Sequence, residues 1–203
     1  MCNNNVIVAE KIYMHDGTSK YFYRVAYLLI TRIFIFLETR SLLIIRHAKS
    51  SWEDFSQKDF DRPLNDRGKK NAPIMAKRIH KEMSVTLDAI ISSPAKRAFA
   101  TAKFFAKEFN IKKENFFEKP ELYEPSIENF FKVAAGIDDD YKTVALFSHN
   151  PGISVFANLL TNIRIDDMPT CAVFAIHIQT DSWKNFRNAE KEFWFFDYPK
   201  NIM

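Results

Sequence analysis

The stretch LLIIRHAKSSW, residues 42–52, decides how the rest of the chain is read. Leu42 to Ile45 is a continuous apolar run with no polar alternation. A strand with one wet face alternates, whereas a strand covered on both faces does not. The run therefore predicts a central strand in a sheet with helices on either side. Arg46 and His47 follow it directly. Two polar side chains thus stand at the carboxyl end of a buried strand, the edge where open α/β sheets bind ligands.

Outward from this stretch the same arrangement returns twice. Ala89–Ile91 is apolar and runs into Ser92, Ser93 and Pro94, with Arg97 three residues past the proline. Thr143–Phe147 is apolar and runs into Ser148, His149 and Asn150. Helical spacing fills the intervals. Met75, Ile79 and Met83 predict a helix over 65–83, which Pro73 is expected to kink or restart because it has no N–H to give. Ser93 with Pro94 reads as an N-cap and first helical position, opening a helix with Ala95, Phe99, Ala102, Ala106 and Phe109 inward. Ile127, Phe130, Phe131 and Ala134 predict another helix, stopped by Gly136. Asn150 with Pro151 reads as a further helix start, with Ile153, Phe156, Ala157 and Leu160 inward. Ala172–Ile178 and Phe193–Phe196 are the last predicted strands. Strands alternating with helices predict an α/β fold whose sheet is largely parallel and covered on both faces.

Composition narrows the function. A chain of 203 residues suits one domain, two at most, and can bury a full core without disulfides or metal. Apolar residues at 47% and charged residues at 27% exclude a disordered or fibrous chain. Cys2 and Cys171 form no CxxC framework, so no cysteine-type zinc site is expected and a reducing, cytoplasmic compartment is. Gly17, Gly68, Gly136 and Gly152 are the only glycines; they cannot build GxGxxG or a P-loop. The net charge is +4, of which residues 1–40 hold +2, with no dense basic run. Nucleic-acid binding, which needs a clustered patch, is not expected. Residues 1–40 read as an N-terminal extension to a domain over 41–203. Within the extension Tyr21–Leu37 is apolar, but Arg24 and Arg32 interrupt it, so a membrane span is not expected.

The chemistry lies in the three polar clusters. Singly, an Arg–His pair is usually a surface feature and a histidine at a strand end is usually structural. Three clusters at three equivalent strand ends are a different matter, because unrelated residues have no reason to fall at matching places. Each also leads into a loop or helix start, where free N–H groups favour anions. Two arginines and two histidines in one crevice suit phosphate, since a guanidinium presents a planar fork to its oxygens. His15, His80 and His177 have no metal-ligand spacing with the others.

These motifs carry a resemblance. RHAKSSW at 46–52, RPLNDRG at 62–68, SSPAKRAFATA at 92–102 and SHNPG at 148–152 resemble, in order, the signature elements of the histidine phosphatase (phosphoglycerate mutase-like) superfamily. Within it they are most similar to the SixA-type phosphohistidine phosphatases. The resemblance covers residues 41 to about 198. It implies a three-layer α/β/α sandwich with a mostly parallel central sheet, and a phosphatase without cofactor or metal. It implies that His47 is the nucleophile, forming a phosphohistidine intermediate that water hydrolyses. Arg46, Arg97 and His149 are then the groups that hold the phosphoryl oxygens, with Arg62 as a fourth contact in substrate binding. Superfamily mutases supply a glutamate as general acid, and Glu124 falls near that place; a solvated loop glutamate is the plainer reading. Where mutases carry Asn after the tryptophan motif, this chain has Glu53, which argues against a sugar-phosphate pocket. The expected substrate is a phosphohistidine-bearing protein of the phosphorelay type. Two alternatives stand beside it: a small-molecule phosphomonoesterase using Glu124 as acid, and a phosphate-binding module without turnover.

Overall fold

Two apolar faces on one sheet require two covering layers, and the chain supplies both. The computed structural model describes residues 38–201. The strands are β1 (Thr39–Arg46), β2 (Ala89–Ser92), β3 (Phe116–Glu118), β4 (Thr143–Ser148), β5 (Val173–Gln179) and β6 (Glu190–Asp197). The helices are α1 (Asp66–Lys77), α2 (Lys96–Glu108), α3 (Ile127–Ala135) and α4 (Gly152–Leu160). The strands form one sheet in the order β3-β2-β4-β1-β5-β6. β1 pairs parallel with β4, and β2 pairs parallel with both β3 and β4. β5 pairs antiparallel with β1 and with β6. This is the three-layer, mostly parallel sandwich expected from the sequence.

The continuous apolar run of β1 divides its side chains between two cores. Leu42 and Ile44 pack with Phe130 and Val133 of α3 and with Ile153, Phe156 and Leu160 of α4. Leu43 and Ile45 pack with Ala72, Met75 and Ala76 of α1 and with Ala102 and Phe105 of α2. The helices after the neighbouring strands β1 and β4 therefore cover opposite faces of the sheet. The chain parts on either side of this strand pair, the crevice that doubly wound sheets use for ligands.

Several expectations need correction. The expected extension over 1–40 lies outside the described residues as far as 37. Thr39 and Arg40 already belong to β1, so the sheet begins two residues before the expected boundary at 41. Arg40 is buried there, donating from Nη1 to the carbonyls of Asp139 (2.8 Å) and Tyr141 (2.9 Å). The helix predicted over 65–83 does not break at Pro73. It runs from Asp66 through the exposed proline to Lys77 and then widens into a π turn over Arg78–Glu82. Ser93 is not the cap of α2, which starts at Lys96 behind Ala95 with no side-chain cap. The buried face of α2 is also turned from the expected one: Arg97, Ala98, Thr101, Ala102 and Phe105 are buried, whereas Phe99, Ala106 and Phe109 are only half-buried. β3, with three residues, is too short for any periodicity to announce it. Among the described residues no helix is long and apolar enough to cross a membrane.

One close approach fixes the loop after β1. Asn65 caps α1 by accepting from Gly68 N at 2.9 Å, and Asn65 N donates to the Lys49 carbonyl at 3.0 Å. A Cβ on Gly68 would lie 2.1 Å from that carbonyl oxygen, and backbone cannot swing aside. In an ordinary helix Gly→Ala stabilises by about 0.5–1 kcal/mol. Here Gly68→Ala is expected to cost about 1–3 kcal/mol through overpacking, read as a lower urea midpoint. A midpoint that is unchanged or higher would contradict the packing described.

Candidate active site

Strand register brings the motifs level. Arg46 of β1 lies opposite Ser148 of β4, and Ser92 of β2 lies opposite Phe147. His47 N donates to the Ser148 carbonyl at 3.1 Å, and Ser93 N to the Phe147 carbonyl at 3.0 Å. The residues that leave the sheet next, His47, His149 and Ser93, therefore start from one line. Arg97 reaches them from the first turn of α2.

The result is one cavity of about 410 Å³ whose wall includes Arg46, His47, Arg62, Arg97, Glu124 and His149. All six residues singled out from the sequence thus meet in one place. Arg62, Arg97, His47 and His149 are buried, whereas Glu124 is exposed at the wall. Glu124 has a left-handed backbone, with φ of 46°, a conformation uncommon outside glycine.

The hydrogen bonds define the state of each imidazole. His47 Nδ1 lies 2.7 Å from the Ala48 carbonyl. A carbonyl can only accept, so Nδ1 carries the proton and Nε2 keeps its lone pair. Arg97 Nε donates to that Nε2 at 3.2 Å. Thr101 holds the arrangement from behind: its hydroxyl donates to the Arg97 carbonyl at 2.6 Å and accepts from Ala48 N at 3.0 Å. His149 Nε2 lies 2.8 Å from Ser93 Oγ, which also accepts from Ala95 N at 3.3 Å. The assignment that satisfies the serine has its hydroxyl donating to His149 Nε2, leaving the proton on Nδ1. His149 Nδ1 and Arg46 Nε are both buried and have no protein partner among the described residues. Buried donors are normally paired, and two unpaired donors on residues of one pocket suit the oxygens of an anion.

Burial sets the charges. Desolvation pushes His47 down to about 3, helped by Arg97, Arg46 and Arg62 and opposed by its bond to Ala48. Desolvation pushes His149 down to about 2, helped by His47 and Arg97. Both imidazoles are neutral at pH 7, and the positive charge comes from the arginines. The folded chain then binds fewer protons than the unfolded chain below about pH 6.5, the ordinary histidine value. The stability tied to these two groups is intact above that pH and is lost as pH falls from about 6.5 to about 3 for His47 and about 2 for His149.

The sequence reading missed Asp59. Its Oδ1 accepts from Arg62 Nη1 at 2.8 Å, and its Oδ2 accepts from Arg97 Nη2 at 2.8 Å and from the Tyr123 hydroxyl at 3.1 Å. Burial alone would raise its carboxyl, but the bonds to Arg97, Tyr123 and Arg62 outweigh it and hold the pKa below the usual range. Arg62 is further held by the Ser51 carbonyl (3.0 Å) and Ser50 Oγ (2.6 Å), with its guanidinium 3.3 Å from the centre of the Trp52 ring. The one available signal was position: Asp59 opens a short 3₁₀ turn three residues before Arg62. Arg46 is tied to Asp167 at 3.2 Å and to the Met168 carbonyl. Among the described residues no cluster of His, Cys, Asp and Glu could hold a metal ion.

Comparison with known proteins agrees with this geometry. The family described as the histidine phosphatase superfamily (branch 1) matches residues 42–130. An uncharacterized chloroplastic protein of Arabidopsis thaliana is 28% identical over 161 residues, covering 72% of this chain and 70% of that protein. Phosphoserine phosphatase 1 of Hydrogenobacter thermophilus is 38% identical over 72 residues, about a third of each chain (34% and 33%). The structure of the protein histidine phosphatase SixA complexed with tungstate superposes with a TM-score of 0.67 at 20% identity, over 80% of this chain and 99% of that one.

The tautomers can be read directly. In ¹⁵N NMR of the unliganded protein, His47 is expected to keep Nδ1 protonated and Nε2 bare from pH 8 down to pH 5, with His149 neutral throughout. A midpoint near the ordinary value of about 6.5 for either ring would contradict the burial argument.

Proposed function

We propose that this chain, a phosphatase that belongs to the histidine phosphatase superfamily, takes its phosphoryl group from a phosphorylated histidine of another protein. The observation that carries this reading is the pairing of a bare nucleophilic nitrogen with carboxylates ill-suited to act as acids. His47 Nε2 is unprotonated because Nδ1 is committed to the Ala48 carbonyl. The carboxylates on the described cavity wall are Asp59 and Glu124. Asp59 is held ionised by Arg62 and Arg97, and Glu124 is exposed at the wall.

The chemistry follows from these positions. An entering phosphoryl oxygen competes for the Arg97 Nε–H and releases the lone pair it holds. His47 Nε2 then forms a bond to phosphorus while the bond to the leaving group breaks. Arg46, Arg97 and His149 donate to the non-bridging oxygens, where charge must be stabilised. Water next attacks phosphorus, the bond to His47 breaks, and the imidazole returns to its neutral form as the water's proton passes to the phosphate released. An alkoxide leaving group needs a proton as it departs. A phosphohistidine whose other ring nitrogen is protonated departs as neutral imidazole with no proton transferred. A site with no enclosed acid therefore favours phosphohistidine over phosphate esters.

Access supports a large substrate. Of the chain between α2 and β4, β3 joins the edge of the sheet, α3 packs on one face, and Glu124 is the residue at the cavity wall. The small-molecule reading has one feature in its favour, since Glu124 does line the cavity.

Rates separate the two. The chain is expected to hydrolyse a phosphohistidine protein at least tenfold more efficiently than a panel of phosphate esters. Glu124→Gln should change the phosphohistidine rate by no more than a few-fold. If ester hydrolysis dominates and falls by about 10²–10⁴ in Glu124→Gln, Glu124 is a general acid and the small-molecule reading replaces this one.

A further inference from the structure

Three large apolar side chains are exposed on the segment that rims the active site: Phe55 is 90% exposed, Trp52 59% and Phe60 36%. At that exposure Phe55 gives almost nothing to the core. The segment is nevertheless anchored to the catalytic groups. Trp52 lines the cavity and stacks on Arg62. Phe60 packs edge-on against Tyr123 with ring centres 5.1 Å apart, and Tyr123 in turn bonds Asp59. The mouth therefore has an aromatic wall, on which Glu53 and Asp54 are exposed as well.

We propose that the aromatic segment from Trp52 to Phe60 is the docking surface for the phosphorylated protein substrate. The inference rests on the phosphohistidine reading and names the partner's chemistry: an apolar patch beside the phosphorylated histidine. A histidine side chain is short and His47 is buried, so a phosphohistidine reaching Nε2 must bring its own backbone to the mouth. The rim is then covered by the substrate protein. Clustered exposed aromatics mark protein contacts, and aromatic and arginine anchors dominate such interfaces.

The test compares two substrates that share the phosphoramidate bond. One is a histidine phosphotransfer domain phosphorylated with phosphoramidate; the other is N-phosphoimidazole. Phe55→Ser in the full chain is expected to lower kcat/KM on the protein about tenfold while leaving N-phosphoimidazole within twofold and Tm unchanged. Equal rates of Phe55→Ser and the unsubstituted chain on the protein would overturn the docking surface alone. A marked fall in Tm would show that Phe55 packs within the chain itself, and would also overturn it. If the unsubstituted chain turns over N-phosphoimidazole but not the phosphoprotein, the reading beneath the surface fails, and the surface with it.

Discussion

The parallel pairing of β1 with β4 is the constraint on which the site depends. With Arg46 opposite Ser148, His47 and His149 leave neighbouring strands at the same height, and their ring centres lie 5.0 Å apart. A one-residue slip would turn every side chain of β1 to the other face and move His47 out of the crevice. The register is secured by burial: Leu42, Leu43, Ile44 and Ile45 are each fully enclosed, two in each core. The same apolar run that makes the strand therefore also aims His47.

Burial creates the second requirement, that the imidazoles stay neutral while the cavity stays positive. Arginine meets it because its charge survives desolvation where that of histidine does not. Asp59 ties Arg97 to Arg62 and limits the repulsion between them. Thr101 links Arg97 to the Ala48 peptide and so to the proton on His47 Nδ1. That hydroxyl holds the Arg97 main chain, while the guanidinium meets the imidazole directly, from Nε to Nε2.

Most of this was legible in residues that obey short-range rules. The buried strands β1, β2 and β4 announced themselves as apolar runs, and the polar residues after them marked the binding edge. The helix α3 showed its stop at Gly136 and part of its inward face: Phe130 and Ala134 are buried, Ile127 and Phe131 are half-buried, and the buried Val133 was not foreseen. Legibility failed where a tertiary partner outbid a local preference. Ser93 has the makings of an N-cap, yet its hydroxyl serves His149. Pro73 should have interrupted α1, yet it lies exposed and the helix continues. The face of α2 was misread because Arg97 and Thr101 are polar yet buried, turned toward the site by His47 and Ala48. Asp59 was missed because a single carboxylate in a loop gives no periodic signal, and its spacing of three residues from Arg62 was its one mark.

The central claim is that the bare Nε2 of His47 takes the phosphoryl group. The most direct measurement is to quench the enzyme in alkali during turnover, since the phosphorus–nitrogen bond survives base and not acid, and to locate the phosphate by peptide mass spectrometry and ³¹P NMR. The account predicts phosphate on Nε2 of His47 and none in His47→Ala. Phosphate on His149, or turnover by His47→Ala near that of the unsubstituted chain, would contradict it.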